Sequence, residues 1–410
     1  MFALLYLLVM AISLILLIFI RLNSNVKIFI IASLFAIFAL LVVPKDNGTL
    51  DATKYFHYLD SLRHIRTISG IQGAWQMVNV NKITLAYNAS LNPAPDVLSF
   101  GSVPVMGILM ITMTYFPNEF LLSLVTFCDY FFTMKIIHLS VRRNQLPERF
   151  FTYTYVIFCC LFLFSSAVTG IRNNLVGTIF IYYALNYSQK QPPLWSIQTV
   201  VFLLITLALI LVHPFTFILL ILFIIAIFTY RNKKLSLIAD LLILVQGYFR
   251  NVIFAILSPL AKFAIFSSIL YKKEQYLGSG ATIHISSVAN YYRDVARLVI
   301  MLMILVVVLK LGNKYVSKSY TSFIILLMCF IFGSIQDQLV FDRSILVLLP
   351  AMLPFINGFL VLLNELIENE RNTFKTKGMF LLTSFFLTYI LIIFIDNLRA
   401  GTLYYHFFNV

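Results

Sequence analysis

Two arginines in this 410-residue chain each stand near the start of a long apolar run. Arg172 opens the run in SSAVTGIRNNLVGTIFIYYALNY, and Arg343 follows Asp342 in QDQLVFDR. An arginine this close to hydrocarbon is costly unless it faces a watery cavity, so each is a candidate functional residue. Two guanidinium groups can hold a phosphate or a diphosphate through paired hydrogen bonds. Local explanations stay open, namely snorkelling of either side chain and an ion pair between Arg343 and Asp342.

Further ionisable residues lie at the ends of apolar runs or inside them. His213 ends a run just before a proline, where it is either a structural residue or a group that titrates near neutral pH. Arg293 and Arg297 are four residues apart and share a helix face beside Asp294. They form either a second anion contact or only a charged entrance to a span. Asp129 lies deep in a run, which predicts a buried partner.

Composition indicates a helical membrane protein. Hydrophobic residues make up 61% of the chain and charged residues 11%, and apolar runs of the length that crosses about 30 Å of hydrocarbon recur from end to end. We therefore predict an all-α, polytopic fold, with residues 1–410 forming one integral membrane domain. The formal charge of +14 is typical of basic cytoplasmic loops, so no nucleic acid partner is expected. The four cysteines lack metal-ligand spacing, and we expect neither a metal nor a cofactor.

The apolar runs predict about twelve membrane spans. The first, MFALLYLLVMAISLILLIFIRLN, lacks a basic leader and a cleavage signature, so it is interpreted as a retained span. A shorter run at residues 101–116, bracketed by prolines, favours a re-entrant or interfacial helix. The remaining spans are predicted at residues 28–43, 118–139, 150–168, 171–187, 196–213, 214–230, 236–256, 292–309, 321–336, 344–363 and 378–397.

Lysines and arginines in the short connections indicate which face is cytoplasmic. If residues 101–116 do not cross, alternate connections collect nearly all of these cations on one face, and the positive-inside rule makes that face cytoplasmic. Both termini, a large loop at residues 44–100 and a second loop at residues 258–290 then lie outside. The arginines near the span starts fall on the same outer side, so we predict an extracytoplasmic site.

The large loop contains a segment with helical spacing, residues 51–66. A helix with one apolar face is typical of a segment resting on a membrane surface. Its charged face is either a solvated surface or places Asp51 or His57 over a cavity whose floor includes Arg172. The predicted apolar face consists of Tyr55, Tyr58, Leu59 and Leu62.

The order of these parts resembles the EpsG-type membrane proteins of exopolysaccharide operons and, more distantly, the Wzy-type polymerases of O-antigen and capsule. The shared pattern begins with an outer-loop helix that carries Asp and Tyr, followed by Arg at the start of a span. A His at the end of a later span and an Arg early in a late span ending in LLPAMLPF complete it. Asn173 stands where the pattern has Gln. The matching positions in this chain are Asp51, Tyr55, Arg172, His213 and Arg343.

This resemblance implies a membrane glycosyltransferase of GT-C-like architecture in the bacterial cytoplasmic membrane, with its site facing outside. Such a polymerase transfers a growing glycan from an undecaprenyl-diphosphate carrier to another lipid-linked repeat unit, in contact with membrane lipid and with a chain-length regulator as a further partner. Arginines would stabilise the departing diphosphate, and His213 or Asp51 would be the general base. The expected diphosphate ligands are Arg172, Arg343, Arg293 and Arg297, and the expected acceptor or sugar contacts are Tyr55, His57, Asn173 and Asp342.

Other functions share parts of this pattern. A flippase or transporter of the same lipid-linked sugar needs charges that are accessible from both sides, whereas the polar groups here cluster on one side. An O-antigen ligase-like transferase would use the same outer cavity. An acyltransferase would need a cytoplasmic-face histidine with acidic neighbours, which the sequence lacks. A structural or sensor protein is the remaining alternative.

Overall fold

The computed structural model describes residues 2–45, 51–79, 103–162, 171–193, 195–249, 259, 288–311, 315–335, 337–368 and 374–407. Most of the loop predicted at residues 258–290 lies outside these residues, as do residues 80–100 of the large loop. The described chain is almost entirely helical, because a helix satisfies its own backbone polar groups where no water is present. The all-α prediction is therefore confirmed.

Each predicted span overlaps a helix within the described residues, and the short run at residues 101–116 contains the ten-residue helix α4. At about 15 Å, α4 is about half as long as the hydrocarbon core is thick. Two short strands, β1 (Val42–Pro44) and β2 (Tyr405–Phe407), pair antiparallel. The helices are α1 (Phe2–Phe19), α2 (Ser24–Leu40), α3 (Asp51–Asn79), α4 (Pro104–Met113), α5 (Glu119–Arg143), α6 (Glu148–Leu161), α7 (Ile171–Lys190), α8 (Ile197–Ile210), α9 (Phe215–Thr229), α10 (Lys233–Leu244), α11 (Val288–Leu311), α12 (Lys318–Gly333), α13 (Gln338–Glu368) and α14 (Phe374–Tyr404).

Length and composition identify the helices that could cross a bilayer. Within the described residues, four helical stretches are long and apolar enough to cross a membrane: Phe2–Phe19, Glu119–Arg143, Val340–Glu368 and Gly378–Leu403. Several further apolar helices are shorter, between 10 and 17 residues. The chain is thus a helical membrane protein.

Helices α7 and α13 approach each other closely. A Cβ atom placed on Gly177 of α7 would lie only 2.7 Å from Cγ2 of Val347 in α13. Glycine is therefore the residue that lets these two backbones come together here. Because α7 runs from Arg172 to Lys190, we call the two ends of the helix bundle the Arg172 end and the Lys190 end.

The far ends of α7 and α13 also meet, so the two helices run parallel. Ser317 donates a hydrogen bond to the hydroxyl of Ser188, near the end of α7, at 3.3 Å. Two residues earlier, the Tyr315 hydroxyl donates to the carboxylate of Glu365, near the end of α13, at 2.8 Å. Both helices therefore begin at the Arg172 end and finish at the Lys190 end.

The remaining helices alternate between these two ends. Helix α5 also finishes at the Lys190 end, where the Asn144 amide donates to the Tyr315 carbonyl at 2.9 Å. Within the described residues, basic groups outnumber acidic groups at the helix ends and turns of the Lys190 end, where Glu148, Glu365 and Glu368 are the acidic residues. The basic residues there are Arg21, Lys27, Arg142, Arg143, Arg149, Lys190, Arg231, Lys233, Lys234, Lys310 and Lys318.

Buried aromatic side chains fill the space between the helices. On one side of the bundle, Phe35 of α2 stacks on Tyr130 of α5 with ring centroids 3.8 Å apart. On the other, Phe223 of α9 packs edge-on against Phe323 of α12 at 5.4 Å. These clusters hold α5 and α7 in place, and with them the polar residues at their starts.

Candidate functional site

Helix α3 presents the predicted apolar face to the rest of the protein. All four residues of that face are buried within the protein, whereas the sequence predicted a face that rests on a membrane surface. Burial also raises the pKa of the Tyr58 hydroxyl, so this group stays protonated. The helix is longer than predicted and is interrupted at Gly70, whose φ of 67° lies in the left-handed region that favours glycine.

Arg63 fixes α3 to the turn between α4 and α5. Its guanidinium donates to the Phe116 carbonyl at 2.9 Å, to the Asn118 side chain at 3.0 Å and to Asp60 at 2.7 Å. One turn later, Arg66 lies over the Tyr115 ring at 3.9 Å. These contacts set the position of α3 above the Arg172 end, and their partners were not predicted from the sequence.

Arg172 lies against the buried face of α3. Its guanidinium carbon is 5.9 Å from the centroid of the Tyr55 ring, within cation–π range. The side chain is half-buried, whereas the following residues Asn173 and Asn174 are both buried. Tyr55 is thus the residue of α3 that contacts Arg172, whereas the sequence predicted Asp51 or His57 near this arginine.

Arg343 stands at the same level of the bundle as Arg172. At about 1.5 Å of rise per residue, Arg172 lies about 7.5 Å and Arg343 about 6 Å from the Gly177–Val347 contact, both toward the Arg172 end. Arg343 is one turn before Val347 and therefore lies on the side of α13 nearest α7. Its side chain is half-buried.

The two arginines nevertheless point in different directions around α7. Arg172 is rotated by about 140° from the side of α7 that carries Gly177, which turns it toward α3. Asn173, one turn before Gly177, is the residue of α7 that shares the α13 side. Its Oδ1 atom is buried and accepts no hydrogen bond from the described residues. The α7–α13 contact therefore places Asn173 opposite Arg343, whereas Arg172 lies on the side of α7 that faces α3.

His213 lies in the turn between α8 and α9. Helix α8 begins beside the end of α7, where the Tyr187 hydroxyl is 3.3 Å from that of Thr199, so α8 finishes at the Arg172 end. His213 is 5% exposed, and its Nδ1 accepts a hydrogen bond from the Phe215 backbone N–H at 3.2 Å. In the neutral ring the proton is then on Nε2, which acts as a donor. His213 thus caps the start of α9.

Arg293 and Arg297 belong to a separate ionic network between α11 and α14. Arg293 donates to Asp396 at 2.7 Å. Arg297 is 3% exposed, lies 3.6 Å from Asp294, and its Nε donates to the Tyr389 hydroxyl at 3.3 Å. Both arginines are thus matched by acidic or hydroxyl groups of the protein itself.

Asp129 is fully buried in α5, one helix away from the arginines. Neither carboxylate oxygen accepts a hydrogen bond from the described residues. Thr178 of α7 lies next to the carboxyl group but does not meet hydrogen-bond geometry. The partner that the sequence predicted for Asp129 is thus not among the described residues.

The remaining candidates lie at the Arg172 end. Asp51 begins α3 one turn before Tyr55, and its side chain lies outside the described residues. His57 is exposed on α3, and Asp342 is half-buried beside Arg343.

No family model, curated protein or solved structure matches this chain.

Proposed function

We propose that this chain is a polysaccharide polymerase, a membrane glycosyltransferase that joins undecaprenyl-diphosphate-linked oligosaccharide repeat units. The observation that carries the proposal is the parallel contact of α7 and α13, which puts an arginine near the start of both helices at one end of the bundle. A lipid diphosphate is the part of such a substrate that needs two cationic groups.

The proposal includes a topology. Helices α1, α2 and α5–α14 cross the bacterial cytoplasmic membrane, which gives twelve spans in a GT-C-like arrangement. Helix α3 rests on the outer surface and α4 does not cross. The basic turns of the Lys190 end support a cytoplasmic location for that end, and the Arg172 end then faces outside.

In this proposal, Arg172 and Arg343 bind the diphosphate from two sides. Charge builds up on the diphosphate as it leaves, and cations already held in place stabilise it most. Tyr55 supports the Arg172 guanidinium. Asn173 offers a buried oxygen to a hydroxyl group of the sugar, because that oxygen accepts no hydrogen bond from the described protein residues.

The reaction breaks the bond between the anomeric carbon of the donor glycan and the diphosphate oxygen. A hydroxyl oxygen of the acceptor sugar forms the new bond to that carbon, and its proton passes to a base. The hydrogen bond from Phe215 occupies Nδ1 of His213, so His213 acts as a donor toward a substrate oxygen. Asp51 is then the proposed base, and Asp342 and His57 are proposed sugar contacts.

The sequence predicted that Arg293 and Arg297 bind the diphosphate, whereas this proposal gives them a structural role. Their charges are matched by Asp294 and Asp396. We assign them to holding α11 against α14. Binding of the departing diphosphate is left to Arg172 and Arg343.

The test uses cells that make the lipid-linked repeat unit and express the chain or its variants. Arg172→Ala and Arg343→Ala should each abolish long polymer and leave single lipid-linked repeats, seen as loss of the ladder on a gel. Arg231→Ala, which removes an exposed arginine from the Lys190 end, is the matched control and should give a normal ladder. Normal polymer in both arginine variants, at equal protein levels, would rule out the proposed diphosphate site.

A further inference from the structure

A cavity lies at the Lys190 end of the bundle, opposite the proposed active site. It has a volume of about 170 Å³ and opens between the turn joining α1 and α2, the last turns of α5 and the start of α6. At about 30 Å³ per water molecule it has room for a phosphate group with its first waters. Its polar lining includes Lys27, His138, Arg142 and Glu148.

The charge of this cavity is net positive. Lys27 and Arg142 supply two cations, and the carboxylate of Glu148 offsets one of them. Lys27 is only 8% exposed, and its ammonium donates to the Leu17 carbonyl at 3.1 Å. An ammonium group has three N–H donors, so it can also donate to a bound anion. The net positive charge of the cavity balances the single negative charge of a phosphodiester.

Three basic positions on α5 face this region together. Lys135, His138 and Arg142 follow at intervals of three and four residues, which places them along one side of the helix. Lys135 donates to the Asn25 side chain at 2.7 Å, which ties α5 to the first turn of α2. Helices α2 and α6 both begin at the cavity, and their N-termini add partial positive charge.

The other walls of the cavity are apolar. Leu17 of α1, Val141 of α5 and Phe151 of α6 line it below the charged residues. A free phosphate ion would make no favourable contact with these apolar walls, whereas the acyl chains of a phospholipid would pack against them. Basic pockets between membrane helices on the cytoplasmic side are typical sites for anionic lipid headgroups.

We propose that the cavity of Lys27, His138 and Arg142 binds the phosphate group of an anionic membrane phospholipid. The lipid would join α1, α2, α5 and α6 at the Lys190 end. This site is separate from the proposed polymerase site and does not depend on that function.

The test measures which lipid the purified full-length protein retains. Protein in nanodiscs of mixed phosphatidylglycerol and phosphatidylcholine is released into the gas phase, and bound lipids are counted by native mass spectrometry. The intact protein should retain one phosphatidylglycerol in preference to phosphatidylcholine. In Lys27→Gln with Arg142→Gln, this preference should fall at least tenfold. Arg142→Gln alone changes an exposed residue, so it should keep the fold and still weaken retention.

The matched control is Arg231→Gln with Lys234→Gln, which removes two exposed cations from the same end of the bundle. This variant should retain phosphatidylglycerol as the unaltered chain does. Equal loss in the control and the pocket variant would show a general surface attraction and overturn the proposal. Displacement of the lipid by millimolar inorganic phosphate would also overturn it, since the site would then recognise the free anion. So would equal retention of both lipids by the unaltered protein.

Discussion

Substitution of Gly177 by alanine tests the close approach of α7 and α13 most sharply. The new Cβ would lie 2.7 Å from Cγ2 of Val347, whereas carbon atoms are best separated by about 3.5–4.0 Å. The two helices must therefore move apart by about 1 Å, or Val347 must shift by that amount. Such overpacking typically costs about 1–3 kcal/mol. The better helix propensity of alanine recovers about 1 kcal/mol of it.

A double-mutant cycle isolates the interaction energy between positions 177 and 347. Val347→Ala alone should lower the free energy of unfolding by about 1.6 kcal/mol or more, because it removes two buried methyl groups. In the Gly177→Ala background it also removes the clash. The double variant should therefore be more stable than the sum of the single effects predicts, with a coupling energy of about 1–2 kcal/mol.

Reversible unfolding in mixed micelles measures these free energies, and Gly378→Ala is the control. A Cβ at Gly378 meets nothing within 4 Å, so alanine there should be neutral or stabilising. Under the proposed function, Gly177→Ala should also lower polymer formation by up to about 100-fold, since a 1 Å displacement at a site can cost that much. Additive effects, with coupling below about 0.3–0.5 kcal/mol, would refute the contact between α7 and α13.

Three further substitutions test individual contacts. Tyr55→Leu should reduce polymer formation about 2–30-fold and Tyr55→Phe much less, because phenylalanine keeps the ring whose centroid lies 5.9 Å from the Arg172 guanidinium; equal loss in both would exclude the ring contact. Arg297→Met should lower the free energy of unfolding by about 1–3 kcal/mol, since it removes one of the two cations beside the buried Asp294 and leaves only Arg293 at 3.7 Å; wild-type stability would show that the network is not structural. Asp129→Asn keeps the side-chain shape and removes the ionisable group, so the free energy of unfolding should stay constant or rise by about 1–3 kcal/mol; a clear loss would reveal a partner for the carboxylate.

The sequence predicts the helices well because the constraint on them is local. A run of apolar residues in hydrocarbon has few backbone choices other than a helix, so each predicted run overlaps one within the described residues. The apolar face of α3 was predictable for a similar reason, since Tyr55, Tyr58, Leu59 and Leu62 repeat at helical spacing. The continuation of α3 beyond residue 66 was missed because Gly70 and Gly73 interrupt the helical pattern.

The arrangement of the candidate site was only partly predictable. The sequence predicted that the helix starting at Asp51 lies over Arg172, but it did not predict that Tyr55 makes the contact. The partner of Arg293 was not predicted, because Asp396 lies 103 residues away and no spacing rule connects them. The packing role of Gly177 could not be predicted either, since it depends on which residue of another helix lies against the glycine.

Reconstitution of the purified protein with a lipid-diphosphate-linked repeat unit tests the central claim most directly. The unaltered chain should convert single repeats into a ladder of longer products on a gel and release the lipid diphosphate, with neither product formed by folded Arg172→Ala or Arg343→Ala protein. A ladder of normal length from both arginine variants, or no elongation by the unaltered chain, would contradict the account.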